Sequence, residues 1–182
     1  MKWRSAVAVA LFAFACRTAT APPVAGLPRN FGVVEEGKIY RGSQPNADEM
    51  ENLYRRGVRT VVKLNLTDIE QERSETSEYG IRLMEFPLSA WTVGTSKSCE
   101  MVERAYEAMS NPLNWPVYVH CDHGRDRTGF LVGLFRERVE GWTFAQVSDE
   151  LARYGHDRKM RLLFPSIAHA LADHFHACAA AR

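Results

Sequence analysis

Val117-Tyr118-Val119-His120-Cys121-Asp122-His123-Gly124-Arg125-Asp126-Arg127-Thr128-Gly129 is the stretch whose reading decides the fold. Its first four residues are β-rich and mostly apolar, as in a buried central strand. A loop from Cys121 to Arg127 follows, then a helix from Thr128 to about Glu140, ended by Gly141. A strand that feeds a short loop into a helix points backbone N–H groups at one spot, with the positive end of the helix dipole behind them. Gly124 permits a backbone angle that a side chain would forbid. The expected result is a cradle for a tetrahedral oxyanion, formed by Asp122, His123, Gly124, Arg125, Asp126 and Arg127. The planar guanidinium of Arg127 can hold two oxygens of a phosphate at once. Cys121 lies on the floor of the cradle, where the dipole, the N–H groups and the arginine favour the nucleophilic thiolate. Thr128 is placed to hydrogen-bond the sulfur and ease its departure, and His120 to hold the shape of the loop.

Outward from this stretch, strands alternate with helices. Asn30–Val34 and Lys38–Tyr40 form a hairpin around Glu36-Gly37. Arg41 to Pro45 reads as a loop. Asn46 caps a helix from Ala47 to Arg56, stopped by Gly57. Strands follow at Val58–Leu64 and Ile81–Phe86, separated by a charged helix from Asp68 to Tyr79. Pro87 to Lys97 is a loop, and Ser98–Ser110 is amphipathic, with Met101, Val102, Ala105 and Met109 on one face. Thr143 caps a helix running to Tyr154, and a last helix covers roughly Pro165 to Ala179. The expected class is α/β: a three-layer fold with a central, mostly parallel sheet flanked by helices.

The N-terminus stands apart. Met1–Ala15 has Lys2 and Arg4, then an uncharged run of Ala, Val, Leu and Phe too short to anchor stably across a bilayer. It fits a secretory signal, with Ala13 and Ala15 as small residues before the cut. Cys16 follows directly and is similar to a lipoprotein junction, although Ala13 stands where such sites usually carry Leu. Residues 16–28 are a linker rich in Ala, Thr and Pro, leaving one folded unit over 29–182. The whole chain of 182 residues has 23 basic and 22 acidic side chains, a net +1. Without Met1–Ala15 the count is 21 against 22, a net −1. Such a balance carries no general footprint for nucleic acid, so anion binding must be local. Four cysteines are too few for a disulfide-built scaffold.

The pattern His-Cys, five residues, Arg-Thr-Gly resembles the signature of the protein tyrosine phosphatase superfamily at every fixed position. Ile39-Tyr40-Arg41-Gly42-Ser43-Gln44-Pro45, Val61–Leu64, Phe86-Pro87-Leu88 and Gly141-Trp142-Thr143 with Asp149-Glu150-Leu151 look like segments of its bacterial dual-specificity members. The resemblance covers roughly Asn30 to Tyr154. It implies a dual-specificity phosphatase-like catalytic domain that hydrolyses phosphate monoesters through a cysteinyl-phosphate, without metal or other cofactor. The expected substrate is phosphotyrosine or mixed phosphoprotein. Inositol phosphates or phosphoinositides are the alternative, because His123 and Arg125 add positive charge to the loop. A catalytically weak phosphate-binding pseudophosphatase is the alternative of another class. Such a protein would be exported, periplasmic or tethered to a membrane through a lipidated Cys16, and monomeric.

One departure from the family pattern concerns the proton donor. These enzymes usually take it from an Asp on a mobile loop, but residues 87–97 contain no carboxylate. Asp126 is the best substitute, at the place where myotubularin phosphatases carry an Asp. Asp122, Glu85 and Asp68 rank below it, and the bland reading of Asp126 is a brace for a basic neighbour. Trp91 reads as a wall of the pocket mouth or an apolar lid contact, and Arg41 as a residue approaching the pocket. His169, Asp173, His174 and His176 read as a solvated helix face. Cys99 and Cys178 read as isolated thiols, able to pair in an oxidising compartment with each other or with Cys121.

Overall fold

The structure, a computed structural model, describes residues 23–89, 91–93 and 96–156. The segments assigned above to the signal, Cys16 and the last helix with its histidines and Cys178 therefore lie outside the described residues. The elements run β1 (Gly32–Glu35), β2 (Ile39–Ser43), α1 (Ala47–Arg55), β3 (Thr60–Lys63), α2 (Ile69–Glu78), β4 (Arg82–Glu85), α3 (Cys99–Ser110), β5 (Val117–Cys121), α4 (Asp126–Glu140) and α5 (Phe144–Arg153). The sheet order is β1-β2-β5-β3-β4. The β1–β2 hairpin is antiparallel, and β2–β5, β5–β3 and β3–β4 are parallel. This is the expected fold class.

Side-chain alternation along the strands sorts two cores onto the two faces. Tyr40, Val61 and Tyr118 pack with Met50 and Leu53 of α1. Ile39, Val62, Val117 and Val119 pack with Val102 and Met109 of α3, Phe130 and Leu134 of α4, and Val147 and Leu151 of α5. The helix starts follow the sequence closely. Asn46 and Glu49 form a reciprocal capping box at α1, and Thr143 with Gln146 forms another at α5.

Of the boundaries that differ from the reading above, two bear on the cradle. Arg41, Gly42 and Ser43 are strand rather than loop, because β2 continues its parallel ladder as far as the Ser43–Cys121 pair. Gly42 leaves room for the Tyr118 ring, whose hydroxyl donates to the Ser43 carbonyl at 2.6 Å. The helix after the cradle starts at Asp126 rather than Thr128, with the Gly129 N–H already bonded to the Arg125 carbonyl. Arg127 and Thr128 thus belong to the first helical turn.

Candidate active site

Cys121 is the last residue of the central strand and is buried, with a free thiol. The loop Asp122–Arg125 turns from it into α4. Gly124 sits at φ +67°, and a Cβ there would overlap the Gly42 backbone, so this position requires glycine. Asn30 Nδ2 donates to the His123 carbonyl at 2.8 Å, and Arg41 Nη2 to the Gly124 carbonyl at 2.9 Å. With those carbonyls tied from outside, the first N–H groups of α4 remain available on the cradle side.

Arg127 is anchored by hydrogen bonds from Nη1 to the Leu88 carbonyl at 3.2 Å and the Leu64 carbonyl at 3.5 Å, while Nη2 pairs with the Asp122 carboxylate. Asp122 also accepts from Asn65 Nδ2 at 2.6 Å and Thr67 Oγ1 at 2.7 Å. Burial works against its charge, but the Thr67 bond and Arg127 outweigh it and hold the carboxyl below its usual value. The Asp122 side chain is therefore a brace for Arg127.

Behind the sulfur lies a buried network. His120 is fully buried, and its Nε2 lies 2.7 Å from Glu72 Oε1. The other oxygen of Glu72 accepts from Lys63 Nζ at 2.6 Å. Burial opposes the Glu72 charge, but His120 and Lys63 overcome it and keep the carboxyl below its ordinary value. The imidazole is thus held between α2 and the loop, the shape-holding position expected of it. The hydrogen bond expected from Thr128 to the sulfur is not formed: among the described residues its Oγ1 is buried without a partner. A side chain in the first turn of a helix points where the helix directs it, and this one is left as an orphaned hydroxyl at the base of the cradle.

Asp126 accepts from, or shares a proton with, His156 Nδ1 at 2.7 Å. Burial raises its carboxyl, but the His156 bond, Arg125 and Arg127 more than offset it, leaving the group below its usual range. Of the lower-ranked acids, Glu85 is held by Arg73 at 2.7 and 2.9 Å, and Asp68 lies at the rim of a polar cavity. Trp91 is exposed, so its side chain does not form a closed wall here.

Two hollows flank the loop. One, about 330 Å³, is lined by Pro23, Arg29, Asn30, His123, Arg125, Tyr154 and Gly155. The other, about 420 Å³, is lined by Glu49, Asp68, Glu72, Glu75 and Asp122 among others, with Arg29 shared. Glu72, Lys63, Asn65, Thr67 and His156 escaped the sequence reading. Each meets the loop from far along the chain, and nothing in local spacing marks it. Cys99 is disulfide-bonded, and its partner is not among the described residues.

The comparisons with known proteins agree with this geometry. The tyrosine phosphatase family profile matches residues 27–165. The chain is 30% identical over 144 residues to the putative tyrosine-protein phosphatase OCA1 of Mycosarcoma maydis, covering 75% of this chain and 86% of that protein. It is 30% identical to the inositol diphosphatase SIW14 of Saccharomyces cerevisiae over 70% of this chain and 46% of that one. It is 29% identical to the dual specificity protein phosphatase TpbA of Pseudomonas aeruginosa, over 64% of this chain and 51% of that one. The chain thus spans about half the length of the last two relatives. The solved catalytic core of SIW14 superposes with a TM-score of 0.65 at 27% identity, over 81% of this chain and 84% of that one. A free, buried cysteine at a strand end, an arginine six residues on and a profile match over most of the sequence converge: the chain belongs to the tyrosine phosphatase family of phosphoric monoester hydrolases.

Proposed function

We propose that this phosphatase acts on a substrate with more than one anionic group, of the inositol-phosphate class. The observation that carries this reading is the basic hollow of Arg29, His123 and Arg125 directly beside the cradle. A second phosphate seated in that hollow would meet the Arg125 guanidinium. The similarity to SIW14 supports the same reading.

In the proposed reaction the Cys121 thiolate attacks phosphorus. The bond from phosphorus to the leaving oxygen breaks, and that oxygen takes a proton. Loop N–H groups and Arg127 balance the charge on the transferred phosphoryl group. Water then attacks the cysteinyl-phosphate, releasing inorganic phosphate and the thiolate. We assign the proton to the Asp126–His156 pair rather than to Asp126 alone, because Asp126 is held below its usual range by its partner. Asp126→Asn and His156→Gln should slow hydrolysis of alkyl phosphates while sparing p-nitrophenyl phosphate, whose good leaving group needs little acid. Wild-type rates on the poor leaving group would refute the assignment.

A phosphotyrosine protein is the second reading. It is favoured by the carboxylate-lined hollow on the opposite flank, which repels a polyanion, and by the similarity to TpbA. Steady-state kinetics on inositol polyphosphates, phosphoinositides and phosphotyrosine peptides in parallel decide between them. A kcat/KM at least tenfold higher for the peptides would overturn the first reading.

We further propose export, lipidation at Cys16 and a monomeric state. The segment Met1–Ala15 and its junction support the first two, and the disulfide at Cys99 fits an oxidising compartment. Detergent-phase partitioning of the whole chain against Cys16→Ser, followed by light scattering, tests all three.

A further inference from the structure

Arg41 lies in the segment that resembles the family, yet it does not line either hollow. It is 1% exposed, on β2 one strand from Cys121. Its Nη2 donates to the Gly124 carbonyl at 2.9 Å, and its guanidinium lies 3.7 Å over the Tyr154 ring. Its nearest carboxylate oxygen is Glu150 Oε2, at 3.8 Å from Nη1. Glu150 is already committed through Oε1 to Arg136, at 3.1 Å. Among the described residues the Nε and Nη1 groups of Arg41 have no hydrogen-bond partner. A buried cation with half of one carboxylate and two idle donors is costly on structural grounds alone, so its position calls for a role.

We propose that Arg41 is a positioning residue of the phosphatase reaction: it fixes the Gly124 carbonyl from behind the loop and sets a permanent positive charge beneath the Cys121 thiolate. Holding that carbonyl outward keeps the loop N–H groups turned toward the phosphate, and Gly124 has no side chain to interfere with the close approach to Gly42. The charge is felt across the sheet. Burial brings the guanidinium below its usual value, whereas Glu150, Tyr154 and Cys121 act in the opposite direction. An arginine remains charged under such conditions.

The other charged groups of the loop are engaged with partners of their own: Arg127 with Asp122, Asp126 with His156, and His120 with Glu72. Arg41 differs from these in being a cation that substrate does not reach.

The inference rests on Cys121 being the nucleophile, which Cys121→Ser tests separately: retained hydrolysis there would sink that reading whatever Arg41 does. The direct experiment follows two quantities in the whole protein. One is kcat/KM on p-nitrophenyl phosphate. The other is the rate of iodoacetamide alkylation of Cys121 at pH 6, followed on its own peptide by mass spectrometry. Arg41→Met should slow both by at least about tenfold, since at an effective dielectric near 20 one charge within about 12 Å shifts an equilibrium by that factor. Arg41→Lys keeps the charge but not the planar donor, so alkylation should hold near wild type while kcat/KM falls several-fold. Glu150→Gln removes the opposing charge, so alkylation should become faster. A purely structural role predicts the same direction of change for Arg41→Met and Glu150→Gln. That result, or a folded Arg41→Met with both rates unchanged, overturns the proposal. If Arg41→Met does not fold, slower alkylation in Arg41→Lys or Glu150→Gln overturns it.

Discussion

On one flank of the phosphate loop Arg125 and the His123 imidazole stand beside Arg29; on the other, which Arg29 also lines, Glu49, Asp68, Glu75 and Asp122 gather negative charge. The chain as a whole is nearly neutral. Near neutrality overall thus coexists with two opposed fields on the flanks of the loop, so substrate choice depends on which flank the body of the substrate crosses. A polyanion gains from the first flank and loses on the second, whereas a peptide with basic neighbours does the reverse.

The comparison can be broken at its centre or sharpened at its edges. The largest effect belongs to the proposed nucleophile. Cys121→Ser should abolish hydrolysis of every substrate, by more than about 10³-fold in kcat. Equal losses on inositol phosphates and phosphopeptides would show that both use one nucleophile, and burst kinetics would check it. Next is Gly124→Ala, which forces a Cβ into a left-handed backbone against Gly42. The strain is about 1–3 kcal/mol, and melting temperature and kcat should fall together on all substrates.

Arg125→Ala separates the flanks. We expect kcat/KM on inositol polyphosphates to fall by roughly 10- to 100-fold, the worth of a charge-assisted hydrogen bond, with little change on p-nitrophenyl phosphate. Equal loss on both would place Arg125 in the cradle rather than in a second anion site. Glu75→Gln, on the acidic rim, should change inositol-phosphate KM by only a few-fold, downward, since exposed charges are worth about 0–1 kcal/mol.

The smallest effect concerns pH. Asp122 and Asp126 both have carboxyls held below their usual values. A depressed carboxyl contributes stability that is complete above the unfolded value, about 3.9, and is lost as pH falls through the lower folded value. The melting temperature should therefore be insensitive to these groups from pH 5 to 7 and fall below about pH 4. Asp126→Asn should flatten that fall, and an unchanged acid limb would show that the His156 contact adds no stability.

The cradle was legible because its parts are consecutive. Strand, glycine, arginine and helix occupy one run from Val117 to Gly129, and local rules read such runs well. The parts that support it were not legible. Asn65 is 57 residues from the Asp122 it braces, Glu72 is 48 from His120, and Arg41 is 83 from Gly124. These pairs exist because β2, β3 and β5 are neighbours in the sheet, a fact of topology with no local spacing. Arg41–Ser43 looked like a loop because Gly42 and Ser43 are poor strand formers, and the ladder with β5 overrides that preference. The basic partner of Asp126 is His156, 30 residues on and past α5, which no local spacing marks.

The proposed nucleophile sits at the end of β5, which, like β3, has parallel neighbours on both sides and helical layers over both faces. Amides so enclosed exchange with solvent only through global opening, so those of Val117 to Val119 should be among the last to exchange deuterium. The far end of the loop is pinned in the same way, by the first turn of α4. The loop between these anchors is thereby held at both ends, so its shape is set before substrate arrives.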